Sequence, residues 1–232
     1  MSKKSWLALT MVVGVPMLAY FAVKYFSEDA VVMPKRYFYD SVITKTLDGQ
    51  LRRDTIWHRI SNFSFINQLG ETVEADQLKG KILVVDYFFT RCPNPCPTLT
   101  RNMKRMQDAY LKNDSLVHFI SFTVDPQRDS VTALKQYADR YKIRHHNWWM
   151  LTGEKQKIYD LAFQEFKAGV VDGGDVDTAF LHTDKFYLLD KNRVIRGWYD
   201  GTDSASMTRL ARDISLLILE KDKTKKRKLF RK

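Results

Sequence analysis

The chain has 232 residues, 44% hydrophobic and 28% charged, which suits one globular domain of ordinary size and excludes a disordered polypeptide. Its formal net charge of +11 is concentrated in residues 221–232, KDKTKKRKLFRK, which hold eight basic side chains and one acidic one. Only +4 remains over the rest, with no aromatic-interleaved basic stripe, and this excludes a nucleic-acid footprint from the body of the chain.

At the start of the chain, MSKK precedes an uncharged run from Trp6 to Val23. Eighteen residues at helical rise cover about 27 Å, near the thickness of a bilayer core. The segment Ala19-Tyr20-Phe21-Ala22 offers no small-residue cleavage pair, and no cysteine follows the run to take a lipid. The pattern predicts an uncleaved transmembrane anchor over residues 6–26, with residues 1–5 cytoplasmic by the charge of Lys3 and Lys4. Lys24, Lys35 and Arg36 on the far side act against that orientation. A linker over 27–45, a folded domain over 46–220 and a basic tail over 221–232 follow. The expected location is the cell inner membrane, single-pass, with the domain on the periplasmic side. Disulfides persist there, so the redox state of the cysteines is open.

Along the domain, Leu47–Ile60 alternates loosely around Asp48-Gly49, a hairpin signal. Phe63–Ile66 reads as a short strand with a turn at Leu69-Gly70-Glu71, and Glu74–Gly80 as a brief helical or looped link. Lys81–Thr90, KILVVDYFFT, is a continuous apolar run of strand length, expected to be buried on both faces. The loop RCPNPC follows, and Pro97 suits the first position of a helix over Thr98–Leu111. Leu99, Met103, Met106 and Tyr110 share one face of that helix, and the two methionines read as core rather than as soft ligands. Leu116–Val124 is a second apolar strand closed by Asp125-Pro126. Asp129 and Ser130 are positioned to cap a helix over Val131–Tyr141. The stretch HHNWWML reads as a connection to a helix over Glu154–Phe166, and Val170–Thr178 as loop. Phe180–Leu189 and Arg193–Tyr199 form a hairpin around Asp190-Lys191-Asn192, and a helix over Ser204–Glu220 closes the chain. This order predicts an α/β fold, a thioredoxin-like central mixed sheet flanked by helices, with an N-terminal transmembrane helix.

Cys92 and Cys96, the chain's two cysteines, stand at i and i+4. A loop tightening into a helix start puts both sulfurs on one side, at Cα separations of about 6 Å. A helix N-terminus favours thiolate, the reactive form in disulfide exchange and the ligand form in metal binding. A structural staple is the poorest reading, because so short a ring gains little loop-closure entropy. A zinc ribbon needs a second cysteine pair or paired histidines, and the chain has neither. Redox couple or copper site then depends on a third group, since two thiolates hold Cu(I) and an added imidazole accommodates either copper oxidation state. His118 reads as a core or edge residue of an apolar strand, His145 and His146 as surface, and His58 as remote from the cysteines. His182 stands where the loop VDGGDVDTAFL enters a strand, facing the cysteine-bearing helix start in this fold.

KGKILVVDYFFTRCPNPCPTLT, ISFTVDPQRDSVTALKQYA and FLHTDKFYLLDKNRVI, in that order, resemble the Sco/SenC family over roughly Phe63 to Tyr199. The resemblance implies copper, as Cu(I) or Cu(II), bound by Cys92, Cys96 and His182, with Asp125 in a supporting position. It implies a metallochaperone rather than an enzyme, delivering copper to the binuclear copper centre of cytochrome c oxidase. The alternative is a thiol–disulfide reductase, with Cys92 and Cys96 as its redox-active pair, that keeps the acceptor cysteines reduced. Implied partners are the copper-bearing oxidase subunit, a thiol reductant, a copper donor and the membrane. Asn94-Pro95 departs from the family, which often has an acidic residue between the cysteines. Thioredoxins set a cis-proline opposite the active loop, yet this chain has no proline after Pro126, and His182 falls in that region.

Overall fold

The computed structural model describes residue 6 and residues 10–28, 32–47, 50–171 and 183–220. The chain divides into two units, Met1–Met33 and Pro34–Lys232. In the first, a π-turn at Thr10–Gly14 leads into helix α1, Val15–Glu28. Pro16, with no N–H to give, falls in the first turn of α1, and the ladder just before it is widened. Among the described residues no helix is long and apolar enough to cross a membrane. The anchor expected over 6–26 therefore rests on the sequence.

In the second unit, strands β1 (Tyr39–Leu47) and β2 (Gln50–Trp57) pair antiparallel from Tyr39↔Trp57 to Leu47↔Gln50. Asp48 and Gly49, the expected turn, lie outside the described residues. β1 begins inside the stretch expected to be linker as far as Lys45. The ribbon's side chains are mostly exposed on both faces, so no burial alternation marked it in the sequence.

The main sheet runs β4-β3-β7-β6-β5-β8-β9. Its strands are β3 (Ser64–Asn67), β4 (Thr72–Glu74), β5 (Ile82–Phe88), β6 (Val117–Thr123), β7 (Trp148–Thr152), β8 (Lys185–Leu189) and β9 (Ile195–Asp200). β5, β6 and β7 are parallel, whereas β3, β8 and β9 join antiparallel. Every residue of β5 and β6 is buried, as a central strand covered on both faces requires. β7 lies within the stretch expected to be a connection. Its run WWMLT is short enough that the polar residues before it masked the strand.

Helix α2 (Cys96–Ala109) follows β5, and α3 (Val131–Arg140) follows β6. The predicted helix over Glu154–Phe166 is instead α4 (Lys155–Asp160) continued by a π-turn at Leu161–Glu165, with a short α5 at Ala168–Val171. Helix α6 (Ser204–Leu219) closes the fold. Asp190 makes the β8–β9 turn as expected, its Oδ1 accepting from the N–H groups of Asn192 and Val194 at 2.9 and 3.1 Å. One sheet face is an aromatic cluster in which Phe122 meets Phe63, Phe65 and Tyr87 at centroid distances of 5.4–5.6 Å. Such rings bury large apolar areas and gain from edge-to-face packing.

Candidate metal and redox centre

β5 delivers the chain to the cysteines at its carboxyl end, and a tight turn follows. The Cys92 N–H donates to the Phe89 carbonyl at 3.2 Å. The Asn94–Pro95 peptide is cis. α2 begins at Cys96, two residues before the predicted start, so this cysteine belongs to the helix's first turn rather than to the loop. The early start presents a free N–H, and that of Cys96 donates to the Cys92 sulfur at 3.4 Å. The thiols are not bonded to each other, and both residues are buried.

The Cys96 thiol is pushed well above its ordinary range. Burial is the main cause, followed by its hydrogen bond with the Cys92 side chain. The backbone at Phe89 lowers it in part, and the charges of Cys92 and Asp86 raise it further. Asp86 lies on the β5 face that carries α2 and is 1% exposed, and its Oδ1 has no hydrogen-bond partner. Burial pushes its carboxyl from 3.8 up to about 7, against the effect of Ser121, its register partner on β6. A single carboxylate inside an otherwise apolar strand is the sequence signal for this residue.

The loop is held from below by Asp129, also 1% exposed. Its carboxylate accepts from the Thr90 N–H at 3.1 Å, the Thr90 hydroxyl at 2.5 Å and the Thr123 hydroxyl at 2.5 Å. Thr90 precedes Cys92 by two residues and Thr123 ends β6, so Asp129 ties the cysteine loop to the neighbouring strand. The sequence suggested a helix cap there. Ser130 alone fills that role, its hydroxyl accepting from the Ala133 N–H at 3.3 Å.

Asp125 stands just beyond β6, where its carboxylate pairs with Arg128 at 3.7 Å and its carbonyl accepts from Arg128 and Asp129. Met103 is buried in the core, as expected. His118 is buried in β6; His145 and His146 meet Asp139 and Asp114 nearer the surface, at 3.4 and 3.0 Å. His58 bonds Asp40 at 2.8 Å. His182 lies outside the described residues. The next residue, Thr183, is buried and leads into β8. Because β8 runs antiparallel to β5, this start of β8 lies at the sheet end where β5 delivers Cys92. Among the described residues no group of three or more His, Cys, Asp or Glu is placed to hold a metal ion.

Two unbonded thiols, one in the loop leaving a buried parallel strand and one in the first turn of the helix that follows, define a dithiol domain of thioredoxin-like architecture. Comparison with known proteins narrows the class: the SCO1/SenC family profile matches residues 56–218, and the chain belongs to that family. It is 31% identical over 167 residues to the SCO1 protein homolog of Bacillus subtilis, covering 72% of this chain and 86% of the relative. It is similar to BsSco, described as having a disulfide switch and as a member of the Sco family of cytochrome c oxidase assembly proteins. That likeness has 30% identity and a TM-score of 0.59, over 72% of this chain and 98% of that one. The fold is shared with copper-bound ScoI of Arabidopsis thaliana, at 22% identity and a TM-score of 0.52, over 67% and 97% of the two chains.

Proposed function

We propose that this chain is a membrane-anchored copper carrier that serves cytochrome c oxidase assembly, with copper as its cargo on Cys92, Cys96 and His182. The observation that carries the reading is the meeting of two soft donors at the first turn of α2, joined by the Cys96 N–H at 3.4 Å from the Cys92 sulfur. Thiolates suit Cu(I), and one imidazole extends the set to either oxidation state. The position of Thr183 at the same sheet end supports His182 as that imidazole. Uptake displaces the thiol protons, including the one burial holds on Cys96, so loading releases protons and tightens as pH rises. Delivery to the binuclear copper centre is a ligand exchange, an acceptor thiolate taking the place of a Cys92 or Cys96 sulfur. Asp125 supports the loop behind the site. An oxidised Cys92–Cys96 pair must first be reduced by a thiol partner, and a copper donor then loads it.

The anchor reading has physical support in the first unit. Met11, Val12, Leu18, Tyr20, Phe21 and Val23 are each more than half exposed, and a helix apolar all round is matched by lipid rather than by water. Lys3 and Lys4 then put the domain on the exported side of the inner membrane.

A second reading, thiol–disulfide reductase, is favoured by the unequal surroundings of the two sulfurs. The Cys92 thiolate attacks one sulfur of an acceptor disulfide and expels the other as thiolate. Cys96 then loses its proton and attacks Cys92, which releases the second acceptor thiol and leaves a Cys92–Cys96 disulfide. One variant separates the readings. In His182→Ala, copper content of the reduced, detergent-purified chain should fall sharply while thiol exchange with a disulfide substrate continues. Unchanged copper affinity removes His182 from the site, and exchange abolished together with copper binding removes the reductase alternative.

A further inference from the structure

Strands β1 and β2 form a ribbon that no third strand joins among the described residues. A two-stranded ribbon is marginal by itself in water, and each unpaired edge offers N–H and C=O groups to another chain. This ribbon nevertheless has a fixed root. The Tyr37 N–H donates to the Ile195 carbonyl at 2.9 Å, and the Ile60 N–H to that of Arg193 at 3.0 Å. Tyr37 and Phe38 pack on Trp198 at centroid distances of 4.6 and 6.0 Å. The His58 ring meets Asp40 at 2.8 Å and the Glu165 carbonyl at 3.2 Å. A root held in this way lowers the ordering cost of binding along the ribbon.

The two edges differ. β2 carries Arg52, Arg53 and Asp54 side by side, and self-pairing about any of them sets like charges opposite each other. Between Asp40 and Thr46, β1 has one acid and one base, and the chain itself meets both: His58 pairs with Asp40, and Asp54 with Lys45 at 3.1 Å. The remaining residues there are Ser41, Val42, Ile43, Thr44 and Thr46, mostly β-branched, with no glycine or proline among them. β1 therefore lacks the charges and breaks that keep an edge unpaired.

Its sequence is also complementary to itself. In antiparallel strands related by a two-fold axis, residues opposite each other share one face of the sheet. With Ile43 on the axis, it meets Ile43 of the second copy, and Val42 falls opposite Thr44, Ser41 opposite Lys45 and Asp40 opposite Thr46. No like charges meet, and the central pairs are β-branched. We propose that this chain forms a two-fold homodimer through β1, which merges the two ribbons into a four-stranded sheet in the order β2-β1-β1-β2. The overlap is far short of the roughly 20–30 residues a side of a standard interface, so the association is weak and concentration-dependent. Residues 40–46 lie before the stretch matched by the family profile, 56–218, so the inference is independent of the family assignment.

The test uses the full chain in detergent, with Cys92→Ser and Cys96→Ser so that one introduced cysteine reports alone. Opposite residues have Cα atoms about 4.5–5.5 Å apart, within disulfide range. Under diamide, Ile43→Cys should form a disulfide-linked dimer about tenfold faster than Ser41→Cys or Lys45→Cys, whose copies stand about 13 Å apart in this register. Mixing Ser41→Cys chains with Lys45→Cys chains should restore the cross-link. Equal rates at the three positions, as association through another part of the chain would give, overturn the proposal. So does faster cross-linking of Arg53→Cys than of Ile43→Cys, or no cross-link at all. Sedimentation of the reduced chain with both native cysteines is the second measurement. Val42→Lys with Thr44→Lys sets lysines opposite each other and should weaken the dimer about tenfold, whereas Val42→Glu with Thr44→Lys should keep it. A dimer indifferent to that choice of charge also overturns the pairing.

Discussion

The main-chain N–H of Cys96 donates to the sulfur of Cys92 at 3.4 Å, whereas the Cys96 thiol is held protonated mainly by its burial. The Cys92 sulfur receives a helix-start N–H, whereas the Cys96 thiol, lowered in part by the backbone at Phe89, is raised on balance by burial, so the pair is chemically unequal. Thiolate, not thiol, is the nucleophile. With limiting iodoacetamide at pH 7.5, the reduced chain should be carbamidomethylated first at Cys92, with Cys96 slower by about tenfold or more, as mass spectrometry of the peptides would read. Equal labelling of the two residues would dissolve the asymmetry on which the reductase reading relies.

Asp129 accepts three hydrogen bonds from Thr90 and Thr123 in a buried position. Removing an acceptor strands buried donors, which costs more than the bonds themselves contribute. Asp129→Ala should lose roughly 2–4 kcal/mol in urea unfolding, and it should also raise the labelling rate of Cys96 by loosening the loop above it. Thr123→Val removes one donor together with its bond and should cost distinctly less. If the two variants were equally destabilised, Asp129 would not be the knot joining loop to strand.

These two residue sets show which parts of the site the sequence displayed. Spacing alone marked Cys92 and Cys96, and continuous apolar runs marked β5 and β6, because a strand covered on both faces has no polar positions to interrupt it. Thr90 and Asp129 are 39 positions apart, and nothing local in DPQRDS distinguishes a buried acceptor from a helix cap. β7 was hidden by the histidines before it, and β1 by having no buried face. The thioredoxin-like order survived these misses because the strand–cysteine–helix unit and the β8–β9 hairpin fix the sheet's middle and one edge.

Gly201 closes the space between β9 and α2. A Cβ there would lie 2.5 Å from Leu99 Cδ2 and 2.9 Å from the Phe186 ring, and both side chains are fully buried. Leu99 stands three residues after Cys96, so pressure at this point is felt in the turn that carries the thiol. Gly201→Ala should cost about 1–3 kcal/mol by overpacking. In the double variant with Leu99→Ala, the total loss should fall below the sum of the single losses, because the cavity accepts the added methyl. Strict additivity in that cycle would mean that the two sites do not share the contact.

His118 and Asp86 sit on neighbouring strands and link stability to pH with opposite signs. His118 is 1% exposed, packs edge-on to Trp149 at 4.4 Å, and neither ring nitrogen has a hydrogen-bond partner. Burial, helped by the charges of Lys81 and His146, lowers its pKa from 6.5 to about 3. The unfolded chain therefore gains a proton below pH 6.5 that the fold refuses. Stability is intact above 6.5 and falls toward pH 3, by about 2 kcal/mol at pH 5. Asp86 rises to about 7, so the fold keeps a proton that the unfolded chain releases. Its contribution is complete below pH 3.8 and is lost as pH rises through 7, a change of about 4 kcal/mol by pH 8. Urea unfolding of the purified chain from pH 4 to 8 should show His118→Leu flattening the acid limb. Asp86→Asn should stabilise strongly at pH 8 and little at pH 4. A gain from Asp86→Asn that is the same at both pH values would mean that this carboxyl does not change protonation between them, and so that burial does not set its charge beneath the cysteines.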